Sequence, residues 1–128
     1  MISSLLVIQQ SPGKGRGVFA QKNIKPGTTV EVSPVIVMEN RDRLLLDQTL
    51  LHDYIFEWGT QKGQCAMALG YIAVYNHSYQ SNCEYYMDFE NETIEIKTVR
   101  AVKAGDELTI NYNGDWNDEK KIWFEAKE

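Results

Sequence analysis

Apolar and polar positions alternate along much of this chain, and short turns rather than long helical stripes interrupt the alternation. "TIEIKTV" (residues 93–99) is the cleanest case, with Ile94, Ile96 and Thr98 on one face and Glu95 and Lys97 on the other. That period of two is the pattern of a half-buried strand. "CEYYMDF" precedes it across the turn-forming "ENET", so the two predict a hairpin. Near the N-terminus "SLLVIQ" predicts a first strand, followed by a glycine-rich basic loop, "SPGKGRG". "NIKPGTTVEVSPVIV" opens on a Pro26-Gly27 turn and runs into a valine-rich strand. "AVKAGDELTINY" repeats that device: an aliphatic residue, Lys, any residue, Gly, then a strand. Helix is scarce. "RDRLLLDQTLL" predicts a short one, and "NDEKKIWFEAKE" predicts another at the C-terminus. In the latter Asn117 is the candidate N-cap, Asp118 and Glu119 suit the first turn, and Ile122, Trp123 and Ala126 form the stripe to be buried. The pattern predicts a mostly β fold.

Length and charge narrow the picture. The 128 residues make one domain, with no low-complexity linker. Thirteen Lys and Arg against eighteen Asp and Glu leave a net charge of −5. This argues against direct nucleic-acid binding, which needs a basic footprint to replace phosphate counterions. It suits a cationic partner such as a Lys-rich peptide, or serves solubility alone. "MISSLLVIQQ" has no basic leader, and its apolar run is too short to span a bilayer, so the expectation is an intracellular protein away from the membrane. Cys65 and Cys83 are then expected to stay reduced. His52, Cys65, His77 and Cys83 lack the paired close spacing of zinc ligands, so no metal is expected.

Three stretches carry candidate chemistry. "GKGRGVFA" combines glycines, which let a ligand approach the backbone, with two cations. It is neither a Walker loop nor a Rossmann fingerprint, and taken alone it reads first as a plain hairpin turn. "YNHS" with Asn82 holds a histidine that no Ser or Cys nucleophile elbow accompanies, together with side chains suited to bonding their own backbone. "GDELTINY" ends in Tyr112, which shares a strand face with Leu108 and Ile110 and by periodicity is a core residue.

Together and in this order the three resemble the motifs of the SET-domain lysine methyltransferases. "KGRGVFA" is similar to the family's Gly-x-Gly segment, "NHSYQSNC" to its Asn-His-Ser segment, and "ELTINY" to its Glu-Leu…Tyr segment. The span "DYIFEWGTQKGQCAMALGYIAVYNHS" resembles the compact, free-standing members of viruses and bacteria. The chain departs from the pattern at Tyr79 and Ser81, where Cys and Pro are usual, and at Asn111, where Asp is common. The resemblance implies a β-clip-like SET fold of short sheets with a pseudoknot and a short C-terminal helix. It also implies a single SET domain over residues 1–128, with 113–128 as a short post-SET-like segment.

The activity implied is methyl transfer from S-adenosylmethionine to a lysine ε-amine, leaving S-adenosylhomocysteine. Lys14, Gly15, Arg16 and Gly17 would hold the cofactor's carboxylate end, Asn76 its ammonium, and the His77 backbone its adenine, with Trp116 stacking on the adenine or lying in the core. Tyr112 would orient the reacting groups. Tyr85 would line the lysine channel, and Tyr54 and Phe56 its wall or the peptide groove. A lysine-bearing peptide such as a histone tail would add as a strand beside "DYIFEW", with Glu57 and Glu84 favouring basic flanks. A homodimer and, in a eukaryote, a nuclear location fit the same family. The alternative is a SET-like peptide-binding module without activity, which would have no need of Asn76, His77 and Tyr112 together.

Overall fold

The computed structural model describes residues 1–59 and 63–112. Among the described residues nine strands form two sheets. Strands β1 (Leu6–Ser11), β2 (Gly15–Ala20), β6 (Asn76–His77) and β9 (Glu107–Ile110) make the first, in the order β1-β2-β9-β6. Strands β3 (Thr29–Met38), β4 (Ile55–Glu57), β5 (Cys65–Ala68), β7 (Cys83–Asp88) and β8 (Thr93–Thr98) make the second, in the order β4-β5-β3-β8-β7. The alternation of 93–99 holds in space: Ile94, Ile96 and Thr98 are buried, and Cys83–Asp88 pairs with Thr93–Thr98 as the expected hairpin. Asp88 closes that turn by accepting from the Glu90 and Asn91 backbone N–H groups at 3.1 and 3.0 Å.

The two similar ribbons pair with each other. Ile24 and Val102 form an isolated antiparallel bridge, with N–H···O distances of 2.7 and 2.9 Å, and both side chains are buried. Gly27 and Gly105 supply the positive φ, 74° and 91°, that each turn requires.

Two expectations are corrected. The glycine-rich stretch is a loop only at residues 12–14; Gly15, Arg16 and Gly17 lie within β2, opposite Ser11, Gln10 and Gln9 of β1. The helix expected over 41–51 is broken into α1 (Asn40–Leu46) and a one-turn 3-10 helix, Leu50–Tyr54. Thr49 causes the break by capping the second piece, its Oγ1 accepting from Leu51 N–H at 3.2 Å. Both pieces have no buried residue, and Leu44, Leu45 and Leu50 are exposed. The C-terminal helix expected over 117–128, the post-SET-like segment over 113–128 and Trp116 lie outside the described residues.

The core joins both sheets. Val18, Leu108 and Ile110 come from the first, and Val30, Ile94 and Ile96 from the second, with Ile72 and Tyr75 between them in sequence.

Candidate active site

The segment 76–82 is tied to β9 from both ends. At its start, Asn76 and His77 pair in parallel with Thr109 and Ile110. At its end, the Asn82 amide donates to Glu107 C=O at 2.8 Å and accepts from Thr109 N–H at 2.9 Å, as a neighbouring strand would. Arg100 clamps the middle, donating to the carbonyls of Ser81 and Gln80 at 2.8 and 2.7 Å. This interlacing of 76–82 with 107–112 is the pseudoknotted crossing of the fold, and it brings Asn76, His77 and Tyr112 together.

His77 is 4% exposed and its Nδ1 accepts from the Tyr112 backbone N–H at 3.0 Å. The ring packs edge-on against Tyr79, centroids 4.4 Å apart, and lies 5.0 Å from the Tyr112 ring. Its imidazole therefore orients the strand end that carries Tyr112 and does not serve as an exposed base. Tyr79, at one departure from the motif, is that ring's support. Ser81, at another, is buried and donates to Cys83 C=O at 2.9 Å. Asn111 is 1% exposed, a site where a neutral amide avoids burying a charge.

Where β2 and β6 meet β9 there is a small polar cradle. Asn76 Nδ2 spends its two protons on Arg16 C=O at 3.0 Å and Glu107 Oε2 at 2.7 Å. Ser11 Oγ donates to the other oxygen of Glu107 at 2.7 Å. With both amide protons used, Asn76 Oδ1 is left as an acceptor suited to an ammonium group. Gly17 keeps the cradle open: a Cβ there would lie 2.3 Å from Glu107 Oε2 and 3.0 Å from Asn76 Nδ2. Gly15 and Arg16 are exposed beside it, and Lys14 is half-buried in the turn. Glu107 lies in the Glu-Leu…Tyr segment, where the sequence marks no role for it; its part emerges only from pairing β2 against β9.

Tyr112 itself lines a cleft of about 440 Å³. Tyr54, Phe56, Tyr85 and Tyr112 line it together with Tyr75 and Met87. Phe56 meets Tyr85 edge-on at 5.5 Å, and the Tyr85 hydroxyl donates to Tyr112 C=O at 3.4 Å. The rim carries Asp47, Asp53 and Glu57 against Arg43 and His52. Arg43 lies 3.6 Å from Glu57 and His52 2.9 Å from Asp47. Among the described residues β4 is an edge strand of the second sheet. Glu84 is not at the cleft: alternation along β7 turns Tyr85 and Met87 inward and Glu84 the other way.

Tyr112 lines the cleft, and its ring also meets His77, the residue after Asn76 of the cradle. Its hydroxyl donates to Tyr75 C=O at 2.9 Å. Burial, then the nearby Tyr54, Asp53, Glu107 and Tyr85, push its pKa up to about 12. The phenol stays neutral at any working pH, and with its proton committed to a carbonyl it offers lone pairs to the cleft.

Comparison with known proteins agrees with this geometry. The SET domain pattern matches residues 15–113. The chain is 35% identical over 126 residues to a histone-lysine N-methyltransferase of Schizosaccharomyces pombe specific for H3 lysine-37, covering 98% of this chain and 80% of that one. A crystal structure of a candidate histone methyltransferase from Plasmodium falciparum superposes with a TM-score of 0.66 at 26% identity, covering 90% of this chain and 98% of the other. Polycomb Repressive Complex 2 of Chaetomium thermophilum, bound to S-adenosylmethionine, shares the fold with a TM-score of 0.72 at 20% identity. That match covers 86% of this chain and 15% of the complex's chain. The chain belongs to the SET-domain family of lysine methyltransferases.

Proposed function

We propose that this protein transfers a methyl group from S-adenosylmethionine to the ε-amine of a lysine in a basic, histone-like peptide. The observation that carries the reading is the Tyr112 hydroxyl, neutral and fixed by the Tyr75 carbonyl in the wall of an aromatic cleft. S-adenosylmethionine, when bound, supplies a methyl on a positively charged sulfur. The cradle fits its amino-acid end: Asn76 Oδ1 and the Glu107 carboxylate suit an ammonium, Gly17 leaves the space, and Lys14 and Arg16 suit a carboxylate. The His77 backbone is the proposed contact for the adenine, and Trp116 a proposed stacking partner.

Lysine is protonated near neutral pH, with an ordinary pKa of about 10.4. Tyr54, Phe56 and Tyr85 surround the amine with low-dielectric rings, and desolvation lowers that value, so solvent can take the proton without a dedicated base. Tyr112 and the Tyr75 carbonyl then present oxygen lone pairs to the amine and to the developing charge, which orients the attack. The acidic rim of Asp47, Asp53 and Glu57 favours basic residues beside the target lysine. A histone substrate would put the protein in the nucleus.

Labelled S-adenosylmethionine with core histones and, separately, bacterial lysate protein tests the reading. Label is expected on lysine, lowered about a hundredfold or more by Tyr112→Phe. Cofactor binding by calorimetry without label in either pool would favour a peptide-binding module. Neither binding nor label would defeat the methyltransferase reading.

A further inference from the structure

One buried carboxylate has no part in the chemistry above. Glu31, at the bulge in β3, is 0% exposed. Oε2 accepts from Ser33 Oγ at 2.7 Å and from the Tyr71 backbone N–H at 2.8 Å, and Oε1 accepts from the Tyr75 hydroxyl at 3.1 Å. The surroundings are shaped to this group: a Cβ at Gly70 would lie 2.3 Å from both Glu31 Oε2 and Ser33 Oγ. Burying an acid costs several kcal/mol before its bonds offset it, and an apolar side chain of similar volume would pack without that cost. Filling space alone does not account for it.

The two oxygens grip opposite ends of one element. Tyr71 is the N-cap and Tyr75 the C-cap of the single 3-10 turn Ile72–Val74. Tyr75 is 1% exposed, so its ring is held by the core along its length and by Glu31 at its tip. That leaves little freedom for its own main-chain carbonyl, the group that takes the Tyr112 hydroxyl at 2.9 Å. We propose that Glu31 is a positioning residue for methyl transfer: through Tyr75 it fixes the carbonyl that receives the Tyr112 proton, and so sets which way the Tyr112 lone pairs face. This deepens, and rests on, the reading of Tyr112 given above. Loss of the anchor lets the hydroxyl rotate, without removing any group that touches cofactor or peptide.

Tyr75→Phe removes the anchoring hydroxyl alone, and Glu31→Gln keeps the shape of the acid. Tyrosine labelled with ¹³C at Cζ reports on Tyr112, whose resonance is the one missing from Tyr112→Phe. In Tyr75→Phe that resonance shifts and the hydroxyl proton exchanges faster; kcat falls about tenfold while both KM values stay within about twofold. Placed on Tyr112→Phe, the same substitution lowers kcat no further. Glu31→Gln is expected to behave alike; if it does not fold, Tyr75→Phe decides by itself. An unmoved Tyr112 resonance, or an equal loss of kcat with and without the Tyr112 hydroxyl, overturns the proposal. Because the resonance is read without substrate, it tests the linkage even if wild type methylates nothing, and that failure would count against the proposed function instead.

Discussion

At the scale of single residues, the site depends on atoms that are absent as much as on those present. Gly17 has no unusual φ, so alanine there meets no backbone strain; its new methyl meets the Glu107 carboxylate at 2.3 Å instead. Gly17→Ala is therefore expected to push Glu107 and Asn76 aside and weaken S-adenosylmethionine binding about tenfold, read by calorimetry, with a smaller effect on the melting temperature. Glu31 gives a signature in pH. Burial raises its pKa, against the opposing pull of Ser33, Tyr71, Tyr75 and the N-terminal ammonium. A raised value means the folded state binds this proton more tightly than the unfolded one, so its contribution is complete below the ordinary carboxylate value and is lost as pH rises through the folded value. Urea unfolding of wild type and Glu31→Gln across pH should show the wild type losing stability relative to the variant as pH climbs from about 4. A difference that is flat with pH would mean the folded pKa is not raised.

At the scale of elements, β9 is the hub. It pairs with β2 on one side and β6 on the other, and its end carries Tyr112. Strand β6 is only two residues long, so the 76–82 segment leans on side chains that imitate a strand. Asn82 does this most directly, satisfying Glu107 C=O and Thr109 N–H with one amide. Asn82→Ala removes both bonds and leaves part-buried backbone groups unpaired, at about 2–3 kcal/mol in chemical denaturation. Activity should fall with it, since the same interlacing sets Asn76 and His77 beside Tyr112. A loss below about 0.5 kcal/mol would show that Asn82 is not a structural strut.

At the scale of the whole molecule, the core that joins the two sheets encloses the Cys83 thiol, and Cys65 is buried at the start of β5. Cys65 and Cys83 are free and 0% exposed. Burial pushes the Cys83 thiol up to about 12 and raises Cys65 as well. Reaction needs thiolate and access, and the fold withholds both. Neither cysteine should react with an aromatic disulfide reagent in the native protein, and both should react in denaturant. Their rate under native conditions then measures opening of the core. Rapid reaction of either thiol in the folded protein would place a cleft where the packing leaves none.

Much of this protein is written locally. Ile94, Ile96 and Thr98 alternate because a strand puts every second side chain on one face, and that needs no partner to be seen. The paired turns at Gly27 and Gly105, the Asn-His-Ser stretch and the Glu-Leu…Tyr stretch are likewise properties of short segments, and their order was enough to indicate the family. Other features have no local cause. Gly15 to Gly17 became strand because β1 lies across a three-residue turn, and a glycine-rich sequence does not reveal its pairing partner. Tyr112 reads as a core residue by period and is a core residue in part; its hydroxyl gains a role because Tyr75, 37 positions earlier, turns a carbonyl toward it. Glu31 sits in a valine-rich run with nothing to mark it, and Glu107 has no assigned task until β2 and β9 bring Ser11, Gly17 and Asn76 around it. The hairpins, the turns and the family can be read along the chain, because those depend on neighbours in sequence. The cleft, the cradle and the Glu31 anchor were decided by tertiary structure alone, because hydrogen bonds and burial depend on neighbours in space.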